Sequence, residues 1–511
     1  MSFWTAKNLR AVTGGVWVRR PAAELDPERG ALASGLSTDT RAVRPGEAFL
    51  ALRGERFDAH EFLHQAVHAG ASLLIVQDVD AAPESVRRGG TGPAVLRVAD
   101  TRRALGQLAA AYRRSLEGTK VIAVVGSNGK TTTTKLIHSV LSAKLRGSCS
   151  PKSFNNDVGV PLTILAARPG DQYLVCEVGS NHPGETGRLS RIVEPDIAVV
   201  TSVGRDHMEF FGDTASVARE HASIFVDLRP GGAAIVPADE PLLADYLRPV
   251  PQVLTFGPGP GADLRLTRVE HVRGAEGGPP SLRFGVNERL TIDLPLIGEH
   301  NALNALAAIA VARRLGLDDA AIVRGLGAAQ AADMRLNWRV VGGASLLVDC
   351  YNANPDSVLA AVRTFASVAP DAGRRVLILG DMLEMGEHAA ALHEEVARRI
   401  AGECPARLVV TVGQEALRIA GVLQSQWPGC EFQMLSELSE PHARRIASLI
   451  RPGDCVLLKG SRGVRLEGIV AALERQAPGA GESGVSGGAS ASGSGPVAPG
   501  GAAGPRARAI A

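Results

Sequence analysis

Val121-Ile122-Ala123-Val124-Val125-Gly126-Ser127-Asn128-Gly129-Lys130-Thr131 is an apolar run that breaks into a glycine turn and closes on a Lys-Thr pair. Leu136, Ile137, Val140 and Leu141 then recur at helical spacing. Strand, glycine turn, Lys-Thr and helix in that order make a P-loop. The N–H groups of such a turn and the positive end of the helix cradle phosphates. The spacing predicts a nucleotide held by Gly126, Ser127, Asn128, Gly129, Lys130, Thr131 and Thr132. Lys130 is expected on the β/γ-phosphates and the Thr131 hydroxyl on Mg²⁺. The string is the short G-x-x-G-K-T form, because only valines, Val124 and Val125, stand where the strict pattern asks for a glycine. ATP or GTP binding is the expectation, against the bland alternative of a glycine turn before a surface helix.

Apolar strands and helical patterns alternate on both sides of this stretch, which predicts an α/β fold with mostly parallel sheets covered on both faces. Residues 1–116 read as a smaller α/β unit, with strands at 48–52 and 72–76, a helix at 59–69 between them and a helix at 103–116 leading onward. Residues 117–330 hold the P-loop and further strands at 173–178, 197–201 and 233–236. The Gly/Pro-rich stretch 257–294 reads as an antiparallel excursion, followed by a helix at 301–315. Residues 331–476 repeat the alternation, with strands at 346–348, 376–379, 408–412 and 455–458. Residues 477–511 are nearly all Gly, Ala, Ser and Pro, cannot bury a core, and are expected to be disordered.

Composition narrows the function classes. The 55 Lys and Arg against 53 Asp and Glu leave a charge of +2, which gives no pull toward nucleic acid or a membrane surface. No apolar run approaches membrane-spanning length, and Met1-Ser2-Phe3-Trp4-Thr5-Ala6 opens no secretory signal, so no membrane insertion is expected. The six cysteines lack metal-type spacing and read as reduced packing residues of a cytoplasmic protein. A monomer is the default expectation.

In open α/β sheets, ligands sit beyond the carboxyl ends of the strands. Glu177 closes one strand there, and Asp206 and His207 follow the next by a short loop. A carboxylate near a P-loop can hold Mg²⁺. The alternative for Glu177 is a satisfied strand-end carboxylate.

Several strings together resemble the Mur ligases, ATP-dependent amide-forming enzymes of peptidoglycan synthesis. They are the P-loop with its threonine run, Ser153-Phe154-Asn155-Asn156-Asp157-Val158-Gly159, Glu177-Val178-Gly179-Ser180-Asn181-His182-Pro183-Gly184-Glu185, and Gly298-Glu299-His300-Asn301-Ala302-Leu303-Asn304. Asp349-Cys350-Tyr351-Asn352-Ala353-Asn354-Pro355, Leu379-Gly380-Asp381-Met382 and Leu458-Lys459-Gly460-Ser461-Arg462 continue the series. Ser37-Thr38-Asp39-Thr40-Arg41 is similar to the uridine-nucleotide segment of the family. The likeness covers about residues 30–470.

The resemblance implies three domains: an N-terminal UDP-substrate domain, the central P-loop domain and a Rossmann-like C-terminal domain. It implies that D-Ala-D-Ala is joined to UDP-MurNAc-tripeptide through an acyl phosphate, with ATP and Mg²⁺ as cofactors and Mn²⁺ as an alternative metal. Thr131, Glu177 and His207 match family metal positions, and Asn301, Arg335 and Asp349 match ATP contacts. Lys130, Asn156, His207 and His221 fall at catalytic positions. Asn155 and Asn156 lie where the acyl phosphate is held, Tyr351, Asn352 and Asn354 are candidates for the dipeptide, and Ser37, Asp39, Thr40 and Arg41 for the uridine diphosphate. Taken alone, Asn352-Ala353-Asn354-Pro355 reads as a turn and Arg41 as a surface residue.

The chain departs from the pattern at one place. Many Mur ligases carry a CO₂-modified lysine in the helix after the His207 loop, and His221 stands at that position. Three consequences are open: His221 donates to a phosphate, Glu220 supplies the missing anion, or the second metal site is weakened. Two rival functions remain open as well, another amide ligase such as a folylpolyglutamate synthase, and a nucleotide-binding relative that has lost catalysis.

Overall fold

The computed structural model describes residues 2–21, 30–54, 57–87, 92–274, 278–369 and 373–476. The tail expected at 477–511 lies outside the described residues. Three sheets follow one another along the chain. The first has five strands: β1 (Val16–Arg19), β2 (Leu36–Ser37), β3 (Ala48–Leu50), β4 (Leu73–Val76) and β5 (Ala94–Arg97), in the order β1-β5-β4-β3-β2. The second has nine: β6 (Lys120–Val125), β7 (Gly147–Cys149), β8 (Tyr173–Glu177), β9 (Ile197–Val200), β10 (Ala233–Pro237), β11 (Val253–Gly257), β12 (Leu264–Val272), β13 (Ser281–Val286) and β14 (Leu290–Leu294). Their order is β14-β13-β12-β11-β10-β9-β6-β8-β7. The third has six: β15 (Asn337–Val341), β16 (Ala344–Asp349), β17 (Arg375–Gly380), β18 (Leu408–Val412), β19 (Glu431–Leu435) and β20 (Cys455–Lys459), in the order β15-β16-β20-β17-β18-β19.

The continuous apolar runs are explained by burial on both faces. Along β6, Val121, Ala123 and Val125 enter one core while Ile122 and Val124 enter the other. Along β20, Cys455 and Leu457 face one core, and Val456 and Leu458 the opposite one. Full burial of one such side chain contributes roughly 1.5–3 kcal/mol, so these central strands hold the sheets in register. The helix Thr101–Ser115 ties the first sheet to the second. Tyr112 Oη donates to Ala167 O (2.8 Å), and the buried Arg113 donates to Val193 O and Glu194 O and pairs with Asp196 at 2.8 Å. One apolar cluster runs from Trp4 and Leu9 through this helix to Val121 and Ala198.

Two details differ from the pattern read in the sequence. The stretch 257–294 is antiparallel only from β12 to β14, since β11 pairs with β12 in parallel. The third sheet is parallel except for β15, which is antiparallel to β16. The sequence pattern did not mark β1, β2, β5, β7, β11, β15 and β19. Of these, β1, β2, β7, β15 and β19 lie at sheet edges, where burial is partial and an apolar run is not required; β5 is buried, but its apolar run is only Ala94-Val95-Leu96; and β11 is an interior strand whose first residue, Val253, is exposed and whose burial is mixed. Among the described residues no helix is long and apolar enough to cross a membrane.

Candidate active site

The end of β6 delivers the glycine turn into the helix Lys130–Leu141. Gly126 and Gly129 have φ of +136° and +86°. A Cβ on Gly126 would run into Thr201 Oγ1, and one on Gly129 into Asn304 Oδ1, so both positions require glycine on two counts. Ser127 N donates to Ser202 O (3.0 Å) and Asn128 N to Ser202 Oγ (3.0 Å), which holds the turn against the loop after β9. Lys130 Nζ folds back on its own loop, donating to Gly126 O at 2.5 Å and Ser127 O at 3.3 Å. Lys130 keeps some exposure to the cleft but is ringed by protein. That desolvation pulls its pKa below the usual lysine range, against the opposing pull of Asp206 and Glu177.

A cleft of about 700 Å³ opens over this turn. Ser127, Asn128, Gly129, Lys130, Thr132, Asn155, Asn156, Glu177, His207, Asn301, Arg335, Asp349, Tyr351 and Asn352 all line it, so most residues singled out in the sequence converge from the second and third sheets. Glu177, fully buried, accepts from Asn155 Nδ2 through Oε1 (2.9 Å) while its Oε2 has no protein donor. Asp206 Oδ1 is a second buried carboxylate oxygen without a partner. Thr131 Oγ1 lies 3.4 Å from Ser153 Oγ. An orphaned carboxylate oxygen and a threonine hydroxyl beside a P-loop fit Mg²⁺, which takes oxygen ligands and leaves much of its shell to phosphate and water. The described residues gather no cluster of three or more His, Cys, Asp or Glu able to hold a metal.

From the third sheet side, Arg335 stacks its guanidinium over Tyr351 at 4.4 Å. Lys459, at the end of β20, pairs with Asp349 (3.0 Å) and donates to Asn352 O (2.5 Å). His207, at φ +50°, brings Nδ1 to 2.5 Å from Glu384 Oε2, leaving only Nε2 for a ligand. That contact holds the Glu384 carboxyl below its usual range.

His221 is buried on the helix Thr214–Ala222 with Nε2 3.2 Å from Ser127 Oγ, and burial pushes its pKa down to about 4. It does not line the cleft wall, so direct donation to a phosphate is not what this arrangement offers. Nor does Glu220 supply an anion to the site. Its oxygens accept from Gly184 N and Thr186 N, both at 2.7 Å, and so cap the helix Glu185–Val193.

Other expected residues fall elsewhere. Asn354 is buried in the joint between the second and third sheets. Its Oδ1 accepts from Ser357 N (2.8 Å) and its Nδ2 donates to Asn128 Oδ1 (3.0 Å), so the side chain is spent on the joint rather than offered to a dipeptide. Asn301 is likewise engaged at both ends, donating to Ile297 O (2.7 Å) and accepting from Asn304 Nδ2 (2.9 Å). Ser37, Asp39, Thr40 and Arg41 do not reach the cleft. Arg41 instead forms a bidentate pair with Asp39 (2.9 and 2.7 Å), Thr40 donates to Gln65 (3.0 Å), and Ser37 donates to Asp39 O (3.0 Å). Sequence reasoning missed Asn304, which wedges against Gly129. Its signal was helical spacing from Asn301 on the helix Glu299–Arg314. Lys459 and Arg205 carried no local signal for their pairing.

Three family models match in chain order. They are the Mur ligase family, catalytic domain, at residues 33–113; the Mur ligase middle domain at 124–312; and the Mur ligase, glutamate ligase domain, at 334–462. The UDP-N-acetylmuramoyl-tripeptide–D-alanyl-D-alanine ligase of Bacillus subtilis is 37% identical over 441 residues, 85% of this chain and 92% of that relative. A crystal structure of MurF from Acinetobacter baumannii is similar with a TM-score of 0.78 at 34% identity, covering 92% of this chain and 99% of that one. MurF ligase from Thermotoga maritima, solved in complex with ADP, gives 0.72 at 27% identity, covering 87% and 98%.

Proposed function

The chain belongs to the Mur ligase family, and from that premise we propose that it joins D-alanyl-D-alanine to UDP-MurNAc-tripeptide, turning ATP into ADP and phosphate. The observation that carries the reading is the shared cleft. A P-loop lysine and a buried carboxylate from the second sheet face Arg335, Asp349 and Lys459 from the third across one space.

A carboxylate resists attack by an amine at neutral pH. It becomes reactive when the γ-phosphoryl group passes to it: the bond from γ-phosphorus to the bridging oxygen breaks, and a carboxylate oxygen bonds to phosphorus. The dipeptide amine then attacks the carbonyl carbon, loses a proton, and phosphate leaves with the electron pair of the C–O bond. Most of the acceleration in such transfers comes from positioning and charge stabilisation. Lys130 is placed to leave its own loop carbonyls for the β/γ-phosphate oxygens. Thr131 and Glu177 would hold Mg²⁺, which would supply further positive charge for those oxygens. Arg335, held flat on Tyr351, presents a fixed fork to the γ-phosphate side, and Lys459 keeps Asp349 oriented toward the nucleotide. Asn155 and Asn156 are assigned to the acceptor carboxylate, and His207 stands as a ligand through Nε2. Asn301 is assigned to the adenine side, where it also positions Asn304. The first-sheet residues Ser37, Asp39, Thr40 and Arg41 are assigned to the uridine diphosphate and would have to exchange the Asp39–Arg41 pair for phosphate. ATP and a uridine-diphosphate substrate support a cytoplasmic setting, and a monomer suffices because one chain supplies the whole cleft.

Phosphate release from ATP, with and without each substrate and with Mg²⁺ or Mn²⁺, tests the assignment. Release that requires both UDP-MurNAc-tripeptide and D-Ala-D-Ala is expected. Release without the dipeptide, or with a different amine in its place, would overturn it.

A further inference from the structure

The loop between β9 and His207 touches the P-loop with one side and the third sheet's helices with the other. Toward the P-loop, Ser202 O and Oγ accept from Ser127 N and Asn128 N, and Gly204 N donates to Ser127 Oγ at 2.8 Å. Toward the third sheet, Arg205 spreads over two carboxylates. Its Nη2 and Nε donate to Asp356 Oδ1 (2.8 and 3.3 Å), its backbone N donates to Asp356 Oδ2 (3.0 Å), and its Nη1 donates to both oxygens of Glu395 (3.0 and 2.9 Å). Asp356 stands in the first turn of the helix Pro355–Val368, where the positive helix end favours a carboxylate, and Glu395 lies on the next helix, Ala389–Glu403.

We propose that Arg205 is a positioning residue that clamps the third domain onto the P-loop domain, through Asp356 and Glu395, in the arrangement where Arg335, Asp349 and Lys459 reach ATP. Four observations converge on it. Arg205 is mostly buried while its partners are partly exposed, so a single cation is shared by carboxylates from two helices of the other domain. A lone exposed ion pair contributes little, but a guanidinium engaged along both edges, with a backbone N–H added, is the stronger kind. The same four-residue loop that takes the clamp also holds Ser127 and Asn128, so docking of the third domain and the shape of the phosphate cradle are read through one element. Gly204 permits the approach, since a Cβ there would press on Asp356 Oδ2 at 3.0 Å. Asp356 also lines the cleft, where Arg205 neutralises a carboxylate that would otherwise face the phosphates of ATP. Asn128–Asn354 and His207–Glu384 bridge the same joint but offer a single contact each.

The clamp rests on ATP occupying this cleft, and its test separates the two ideas. Arg205→Met keeps the apolar stem and removes the fork. With the competent arrangement populated less often, apparent affinity falls in proportion while the saturated rate survives. The KM for ATP should therefore rise about tenfold, in the range of ordinary coupling between sites, with kcat nearly unchanged. Small-angle scattering of the full-length ligand-free variant should show a larger radius of gyration than wild type. Saturating ATP and UDP-MurNAc-tripeptide should restore the wild-type value. Arg205→Lys should fall between the two. If Arg205→Met loses its melting transition, Glu395→Gln carries the test, because Glu395 is partly exposed and its loss touches only the clamp; a smaller change of the same sign is then expected. An unchanged KM with an unchanged radius, or a fall in kcat at constant KM, overturns the clamp. Scattering reads the clamp even if the wild-type chain turns over no substrate, an outcome that would count against the ligase reading alone.

Discussion

At the scale of the residue, two side chains carry most of what is specific to this chain. Tyr351 matches the family string but is occupied as the platform under Arg335. Tyr351→Phe should keep activity, since the ring face remains, whereas Tyr351→Leu should lower kcat/KM roughly tenfold, the scale of a partly desolvated cation–π contact. Steady-state kinetics on the pair checks this, and equal losses would return Tyr351 to a role through its hydroxyl. His221 is the departure from the lysine pattern. Its folded pKa of about 4 lies below the ordinary histidine value of 6.5, so between those pH values the unfolded chain binds more protons than the folded one. Stability contributed by neutral His221 is therefore present above about pH 6.5 and falls as pH drops toward 4, by up to about 3 kcal/mol. Urea midpoints at pH 5 and pH 7 should differ less in His221→Gln, which can still bond Ser127, than in wild type. His221→Lys places an amine where burial favours its neutral form, the form that reacts with CO₂. Activity of that variant should become responsive to bicarbonate. An active variant indifferent to bicarbonate would show that the position is not equivalent to the modified lysine.

At the scale of the element, the strand–turn–helix of the P-loop is over-determined. Gly129 is needed for its φ of +86° and for the space that Asn304 fills. Gly129→Ala should abolish measurable ATP binding by calorimetry. Adding Asn304→Ala should recover only the steric part, because left-handed backbone still costs about 1–2 kcal/mol for a residue with a Cβ. Full recovery would mean that φ strain is negligible there. This element was legible in sequence because every constraint on it is local: apolar burial on both faces, glycine at positive φ, and a helix N-terminus. Edge strands such as β1 and β19 were not legible, because half-buried edges impose no continuous apolar run. Glu220 shows the same limit. Whether it faced the site or capped the helix Glu185–Val193 depended on how two helices pack, which spacing along one of them does not encode.

At the scale of the whole molecule, one apolar core joins the first sheet to the second, while the joint to the third combines polar contacts around Asn128, Arg205 and His207 with Met208 and Ile297, which enter the third sheet's core. A joint with so many polar contacts leaves room for relative movement of domains, and closure excludes water from an acyl phosphate. Truncation after Gln476 is expected to leave kcat and Tm unchanged, on the Gly-, Ala-, Ser- and Pro-rich composition of residues 477–511. A drop in either would assign that segment a contact with the body of the protein. The sequence by itself determined the α/β alternation, the P-loop and the family, because burial on both faces of a sheet and phosphate binding at a helix start are written in short, contiguous patterns. Only the tertiary structure decided that Asn354 belongs to the domain joint, that Tyr351 serves Arg335, that the Asp39–Arg41 pair stands away from the cleft, and that Arg205 bridges to Asp356 and Glu395. Each of those depends on which distant carboxylate, carbonyl or ring arrives beside a side chain, and that is settled by packing between elements far apart in the chain.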